Sequence, residues 1–224
     1  MPNEKERPRI VSKLRNHLLE VPQEARAASG IVINGTRIKS LVFTTDIAII
    51  RNCNADAVLA VYPFTPQQVI ADALIRNSSL PVFCGVGGGT TQGVRTTMLA
   101  WDAEAQGAMA VVVNAPMGNE DISRISNYID IPIVVTVLNE RTDIAARLEA
   151  GASILNVSAA DRTPEVVRCI RRDYPTVPII ATGGPTGDMI RRTVEAGANA
   201  ISYTPPSTKE LFSRMMSDYR TQDE

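Results

Sequence analysis

The sequence predicts an α/β chain of the (βα)₈ class, a single TIM barrel, and three observations predict it. Apolar runs opened by x-Pro (LPVF at Leu80, IPIV at Ile131, VPII at Val177) alternate with runs opened by a glycine junction: QGAMAVVV at Gln106, AGASILNV at Ala150, AGANAISY at Ala196. Junctions of one kind recur about every 45–50 residues, the length of two βα units. Each run is apolar almost throughout, as a strand buried on both faces requires.

Both junctions have a physical basis. In Glu149-Ala150-Gly151-Ala152 and Glu195-Ala196-Gly197-Ala198 a helix ends on a glycine able to take the left-handed conformation. Pro81, Pro132 and Pro178 stand at strand starts, where the missing N–H removes no ladder bond.

In chain order, helical material is expected from about Ile10 to Ala28, interrupted at Pro22. Asn34-Gly35 between the apolar runs of 31–38 predicts a hairpin. These segments are expected to cover the bottom of the barrel. Eight parallel strands follow at about 39–45, 57–62, 81–86, 109–114, 132–137, 153–158, 178–182 and 199–203. Thr65-Pro66 and Thr163-Pro164 each place a capping threonine before a proline at the first helical position, and Ser207-Thr208-Lys209-Glu210 is a capping box. The expected organisation is one domain over 1–224, with residues 1–38 as helix and hairpin and 39–224 as eight βα units.

Composition agrees. The chain has 224 residues, 44% of them apolar and only 4% aromatic, which suits a core of Val, Ile, Leu and Ala. A formal charge of −1 without a basic cluster gives no footprint for nucleic acid or an anionic membrane surface. No run is long enough to span a bilayer. The opening MPNEKERPRIV lacks an apolar signal core, and three scattered cysteines (Cys53, Cys84, Cys169) without a CxxC fit a reducing compartment, so a cytoplasmic location is expected.

Ligands of such barrels bind at the C-terminal ends of the strands. The rim residues are therefore Thr44-Thr45-Asp46 after the first strand, Tyr62 after the second, and Cys84 with Gly85 to Gly89, Thr90 and Thr91 after the third. Asn114 ends the fourth; Thr136, Asn139 and Glu140 the fifth; Asn156, Ser158 and Asp161 the sixth. Thr182-Gly183-Gly184-Pro185-Thr186 and Tyr203-Thr204-Pro205-Pro206-Ser207 complete it. His17, the one histidine, precedes the barrel, which excludes a histidine metal site or a Ser-His-Asp triad. Of the four lysines, Lys5 and Lys13 precede the barrel, Lys39 sits at the N-terminal, bottom end of the first strand and Lys209 in the first turn of the last helix, so a Schiff base is not expected; neither a metal nor a cofactor is expected.

For acid–base work the candidates are Asp46, Glu140 and Asp161, with Tyr62 as a donor. A carboxylate at a strand end can take a proton next to a carbonyl if burial raises its pKa. Asp46 is the first choice, though it stands equally well as the N-terminal carboxylate of a helix. Cys84 has no base beside it and reads as a buried strand cysteine.

For anion binding, the glycines after strand seven with Thr186 at a helix start, and Ser207 at the next helix start, offer backbone N–H groups at positive dipole ends. GVGGGTT (Gly87, Gly88, Thr90) is either a tight turn into its helix or a second anion cradle, and Asn114 and Asn156 supply amides. It is neither a P-loop nor a dinucleotide fingerprint.

Over Val177 to Tyr203, IIATGGPT and EAGANAI resemble the phosphate-binding barrels that include the N-acylmannosamine-6-phosphate epimerases, thiamine-phosphate synthases and 2-keto-3-deoxy-6-phosphogluconate aldolases. The resemblance implies ligand contacts at Gly183, Gly184 and Ser207. Two departures stand out: YTPPST replaces the usual glycine pair or Gly-Ser after strand eight, and ILNVSAAD lacks the aldolase lysine. The set KSLVFTTD, YPFTP, GVGGGTT, NAP, NVS, IIATGGPT and YTPPS also resembles small bacterial barrel proteins labelled hydrolase.

Three readings stay open. One is a metal-independent isomerase, epimerase or lyase acting on a small phosphorylated or carboxylated metabolite. The second is a hydrolase in which Asp46 faces Asp161 or Glu140 across the mouth and activates water. The third is a non-catalytic metabolite-binding barrel. In each the partner is a small anionic ligand, and self-association into a homo-oligomer is expected.

Overall fold

A computed structural model describes Ile10 and residues 19–222. Residues 11–18, where most of the first expected helix and His17 fall, lie outside the described residues. The remainder of that helix is a 3₁₀ turn, Gln23–Ala27.

The hairpin is present as β1 (Ile31–Ile33) and β2 (Thr36–Ile38), paired antiparallel around Asn34-Gly35. Eight parallel strands then close into a barrel: β3 (Ser40–Phe43), β4 (Ala57–Ala60), β5 (Val82–Gly87), β6 (Ala110–Val113), β7 (Ile133–Val137), β8 (Ile154–Val157), β9 (Ile179–Thr182) and β10 (Ala200–Tyr203). The helices between and after them are α1 (Ile47–Arg51), α2 (Gln68–Asn77), α3 (Val94–Gln106), α4 (Asn119–Ser126), α5 (Ile144–Glu149), α6 (Thr163–Asp173), α7 (Gly187–Glu195) and α8 (Thr208–Gln222). The class is the (βα)₈ TIM barrel expected from the alternation.

Strand alternation divides the core in two. Leu41, Leu59, Phe83, Val112, Val134, Ile154, Ile180 and Ala200 point inward and fill the barrel, and Ile31, Ile33 and Ile38 of the hairpin pack against them from below. Their neighbours Val42, Val58, Cys84, Val111, Val135, Leu155 and Ile201 point outward and pack with the helices. The barrel is therefore a filled core, open to ligands only at its mouth.

Three local expectations are corrected. Residues 19–27 do not lie beneath the barrel; they run up its side, with the 3₁₀ turn against α7 and Leu19 bridged to Cys53 beyond α1. Val21 and Ala25 there join the outer core layer because both present small apolar side chains to it. Thr65 caps nothing: α2 begins at Gln68, two residues past Pro66, and Tyr62 Oη accepts the Gln67 N–H at 3.0 Å. Thr163 is the first residue of α6 rather than its cap, and its hydroxyl closes the preceding turn by accepting from the Ala159 N–H at 3.0 Å. The capping box stands, with the Ser207 N–H donating to Glu210 Oε2 at 2.7 Å and the Glu210 N–H to Ser207 Oγ at 3.2 Å. Among the described residues no helix is long and apolar enough to cross a membrane.

Candidate functional site

The inward positions one step beyond the apolar filling form the floor of the mouth. Phe43, Leu59, Val61, Val112, Asn114, Thr136, Asn156, Ser158, Thr182, Ser202 and Thr204 surround a central cavity of ≈ 170 Å³. Its polar lining is wholly hydroxyl and amide. Asn156 is central to it: only 7% exposed, it donates from Nδ2 to Thr136 Oγ1 at a long 3.4 Å, and its Oδ1 has no partner. A buried carbonyl oxygen without a donor carries a desolvation penalty of about 1–3 kcal/mol, which a ligand O–H or N–H would remove.

Two lobes continue from this floor. On one side Tyr62, Pro63, Phe64, Pro66, Gly85, Gly87, Gly89, Thr90 and Thr91 enclose ≈ 240 Å³ and share Val61 and Asn114 with the centre. On the other, a lobe of ≈ 630 Å³ shares Thr182, Ser202 and Thr204 and adds Gly184 to Gly187, Tyr203, Pro205, Glu210 and Arg214. The two lobes thus adjoin the central cavity through these shared residues, and Asn156 lines the central cavity.

The glycines divide by role. Gly88 sits at φ +108° with its N–H donated to Thr91 O at 2.9 Å, and a Cβ there would lie 2.5 Å from Asn114 N. The GVGGGTT loop therefore turns tightly against the end of β6, and only Gly89 and Thr90 of it face the groove as exposed residues. The Gly183 N–H is already donated to Ser202 O at 3.1 Å, and its missing side chain makes room for Ile201 and Ile190. Gly184, at φ +77°, turns the chain into the larger lobe, and Thr186 caps α7 by accepting from the Met189 N–H at 3.3 Å. Ser207 is committed to its capping box. The head of α7 also holds a carboxylate of its own, because Glu24 lies against Gly187 closely enough that any side chain there would collide with it. A negative charge at that end is favoured by the helix dipole.

None of Asp46, Glu140 and Asp161 lines the central cavity. Asp46 caps α1: its Oδ1 accepts from the Ala48 N–H at 2.8 Å and the Ile49 N–H at 3.3 Å, and its Oδ2 accepts from the Thr208 hydroxyl. The Thr208 contact, with the two backbone donors, holds its pKa below the ordinary value, opposite to what a base working near neutrality needs. Glu140 is held low by its own backbone N–H and by Arg162, whose guanidinium lies 2.6 Å away at the surface. Asp161 is exposed on the 3₁₀ turn Ala160–Arg162. Tyr62, by contrast, lines the smaller lobe, and with its oxygen accepting from Gln67 its O–H is left to donate. Cys84 points away from the mouth, and burial pushes its thiol up to about 12.

Phe43, Ser202 and Arg214 were not singled out from sequence. The first two follow from strand parity: Leu41 and Ala200 point inward, so Phe43 and Ser202 do too. Arg214 reaches the groove from the middle of α8 and leaves no local signal.

No family model matches the chain. Over 101 residues it is 30% identical to the thiamine-phosphate synthase of Geobacillus thermodenitrificans (strain NG80-2) and 31% identical to that of Geobacillus kaustophilus (strain HTA426). Each match covers 40% of this chain and 46% of the relative, so the chain spans less than half the length of these relatives. Among solved structures it is similar to the phosphoenolpyruvate phosphomutase of Streptomyces platensis subsp. rosaceus (TM-score 0.61, 12% identity, 82% of this chain and 81% of that one). It is also similar to 2,3-dimethylmalate lyase, a PEP mutase/isocitrate lyase superfamily member (0.61, 14%, 88% and 85%), and to phosphonopyruvate hydrolase (0.60, 15%, 88% and 87%). At such identities these likenesses show the barrel fold.

One phosphonopyruvate hydrolase structure was solved with oxalate and Mg++. Here no group of three or more His, Cys, Asp and Glu that could hold a metal ion is found among the described residues.

Proposed function

We propose that this barrel is an enzyme of the isomerase or lyase type acting on a small phosphorylated or carboxylated metabolite held across its mouth. The unpartnered Oδ1 of Asn156, a residue that lines the central cavity of the mouth, carries the reading. In this account the anionic end of the ligand lies in the larger lobe, near the head of α7 and Arg214. Its hydroxyl or amine donates to Asn156 Oδ1. In the lyase form the carbon–carbon bond next to the ligand's carbonyl breaks and its electron pair passes to the carbonyl oxygen, to which the hydroxyls of Thr182, Ser202 and Thr204 donate as fixed donors. The hydroxyl on the departing carbon becomes a carbonyl and gives its proton to water, and Tyr62, on the opposite side, delivers a proton to the remaining carbon and takes one back from that water.

The partial likeness to thiamine-phosphate synthases, one of the groups that Val177–Tyr203 resembles, and a solved neighbour named as a phosphoenolpyruvate phosphomutase support a phosphorylated ligand, and one named as a 2,3-dimethylmalate lyase supports a carboxylated one. The hydrolase reading weakens, since a water-activating carboxylate would have to face the central cavity. A non-catalytic metabolite-binding barrel is the second reading, favoured by the absence of Asp, Glu, His, Lys or Arg from the lining of that cavity.

A thermal-shift screen of the purified protein against phosphate, sulfate, phosphorylated sugars and small carboxylic acids tests the binding step. A ligand at about one hundred times its Kd stabilises by about 2.7 kcal/mol, a rise of several degrees. The account expects such a rise in wild type and its loss in Gly184→Asp; no rise with any anion sinks it. Turnover of the best-stabilising compound then separates the enzyme from the binding barrel, and loss of that turnover in Tyr62→Phe with binding retained assigns the phenol.

A further inference from the structure

The smaller lobe centres on the end of β5 and the larger on the ends of β9 and β10. In the closed ring β5 and β9 stand four places apart in either direction, so the two lobes lie on opposite sides of the mouth. For eight strands about 4.8 Å apart and tilted by about 36°, the ring is about 15 Å across. A ligand held by its anion beside Arg214 therefore meets the smaller lobe with its far end.

Three features of that lobe define what the far end is. Phe64 lines it and is 74% exposed, on a loop that holds it out. In Tyr62-Pro63-Phe64-Thr65-Pro66 the two prolines fix their own φ and bias Tyr62 and Thr65 before them to extended backbone, and the Gln67 N–H closes the loop on Tyr62 Oη at 3.0 Å. Gly89 also lines the lobe. Its φ lies outside the left-handed region and a Cβ there would meet nothing within 4 Å, so neither backbone nor packing requires glycine, and a side chain would take up the space of the lobe itself. The third is Asn114, shared with the central cavity, whose side-chain amide has no hydrogen-bond partner among the described residues.

These features narrow the chemistry. No Asp, Glu, His, Lys or Arg lines the lobe, so a second charge would leave water without a counter-ion. Aromatic side chains favour a planar ring over a saturated one of equal area, and a free amide offers a donor beside an acceptor. The lobe encloses ≈ 240 Å³, and a cavity of about 150 Å³ already accommodates benzene, so the space suits one ring with a small substituent.

We propose that the smaller lobe takes an uncharged single aromatic ring bearing a hydrogen-bonding group, an inference that rests on the anion-binding reading of the larger lobe. The ligand is then two-ended, with its anion beside Arg214, its ring beside Phe64 and its reacting centre over Asn156.

Amide chemical shifts of ¹⁵N-labelled protein report the lobes separately: Gly89, Thr90 and Thr91 for the smaller, Gly184 and Gly187 for the larger. Benzamide, cyclohexanecarboxamide, benzoate and inorganic phosphate are titrated singly. Benzamide is expected to move the first set with a Kd of roughly 1 mM. Its saturated counterpart is expected to bind about three- to tenfold more weakly, and benzoate more weakly still. Gly89→Leu fills the lobe and is expected to abolish the benzamide shifts; Phe64→Ala is expected to weaken binding about three- to tenfold. Both positions are exposed, so both variants are expected to fold and to keep the phosphate shifts of wild type. Benzamide that leaves the first set unmoved, binds no tighter than cyclohexanecarboxamide or benzoate, or binds Gly89→Leu as well as wild type overturns the ring site. Phosphate shifts at Gly184 and Gly187 in that case leave the anion reading standing. Benzamide bound as expected with no phosphate shift anywhere overturns the two-ended ligand through its anionic half.

Discussion

Replacing Asn156 with leucine separates a ligand-binding amide from a structural one. The side chain is 93% removed from solvent by its 7% exposure, its Oδ1 has no donor, and its single hydrogen bond, to Thr136, is long at 3.4 Å. Removing an unsatisfied buried acceptor recovers about 1–3 kcal/mol, while losing one weak hydrogen bond costs about 0.5 kcal/mol. Leucine is branched like asparagine and extends into a cavity of ≈ 170 Å³, so overpacking adds little. The net expectation is a gain of about 1–2 kcal/mol, or about 3–6 °C in a domain of this size. Ligand-induced stabilisation is expected to disappear in the same variant. Differential scanning calorimetry with and without the best ligand measures both. A variant that melts lower than wild type yet keeps its ligand shift would refute the reasoning, because the amide would then be holding the barrel and not the ligand.

Other expectations follow from the same geometry. Glu24→Gln removes the carboxylate against the head of α7 and is expected to tighten phosphate binding several-fold, read by isothermal titration; unchanged affinity would show that this carboxylate does not oppose an anion there. Arg171→Ala deletes hydrogen bonds at 2.8 Å to Pro175 O, Val177 O and Gly197 O and at 2.9 Å to Asn199 Oδ1, and is expected to cost about 2–4 kcal/mol in urea unfolding. Asp46 has a lowered folded pKa, so its contribution is complete above its unfolded value of 3.8 and is lost as pH falls through the lower folded value. The gap in melting temperature between wild type and Asp46→Ala is accordingly expected to be flat from about pH 7 to 5 and to close below about pH 4.

Strand positions were legible because a buried parallel strand writes itself as an unbroken apolar run between a glycine and a proline, and the eight observed strands lie inside or within a residue of the expected runs. The hairpin was legible from Asn34-Gly35 for the same local reason. The route of residues 19–27 was not: Val21 and Ala25 look the same in sequence whether they cover the bottom or the side of a barrel. The site divides along similar lines. Asn114 and Asn156 are found at strand ends and line the mouth, where a polar residue breaks an apolar run. The carboxylates mislead because a strand end is also a helix start, and Asp46 serves the helix. Gly183 and Gly88 mislead because a glycine needed for close packing is indistinguishable in sequence from one that donates to an anion; only the partners of their N–H groups, Ser202 O and Thr91 O, separate the two. Arg214 depends on where α8 is anchored, by a contact between residues far apart in the chain.

The central claim is that a small anion lies across this mouth, and the most direct measurement is a crystal structure of the protein grown with the compound that stabilises it most. The account predicts density running from the Gly184–Gly187 turn, beside Arg214, to a donor within hydrogen-bonding distance of Asn156 Oδ1. An ordered compound bound elsewhere, with Asn156 Oδ1 still unpartnered, would contradict it.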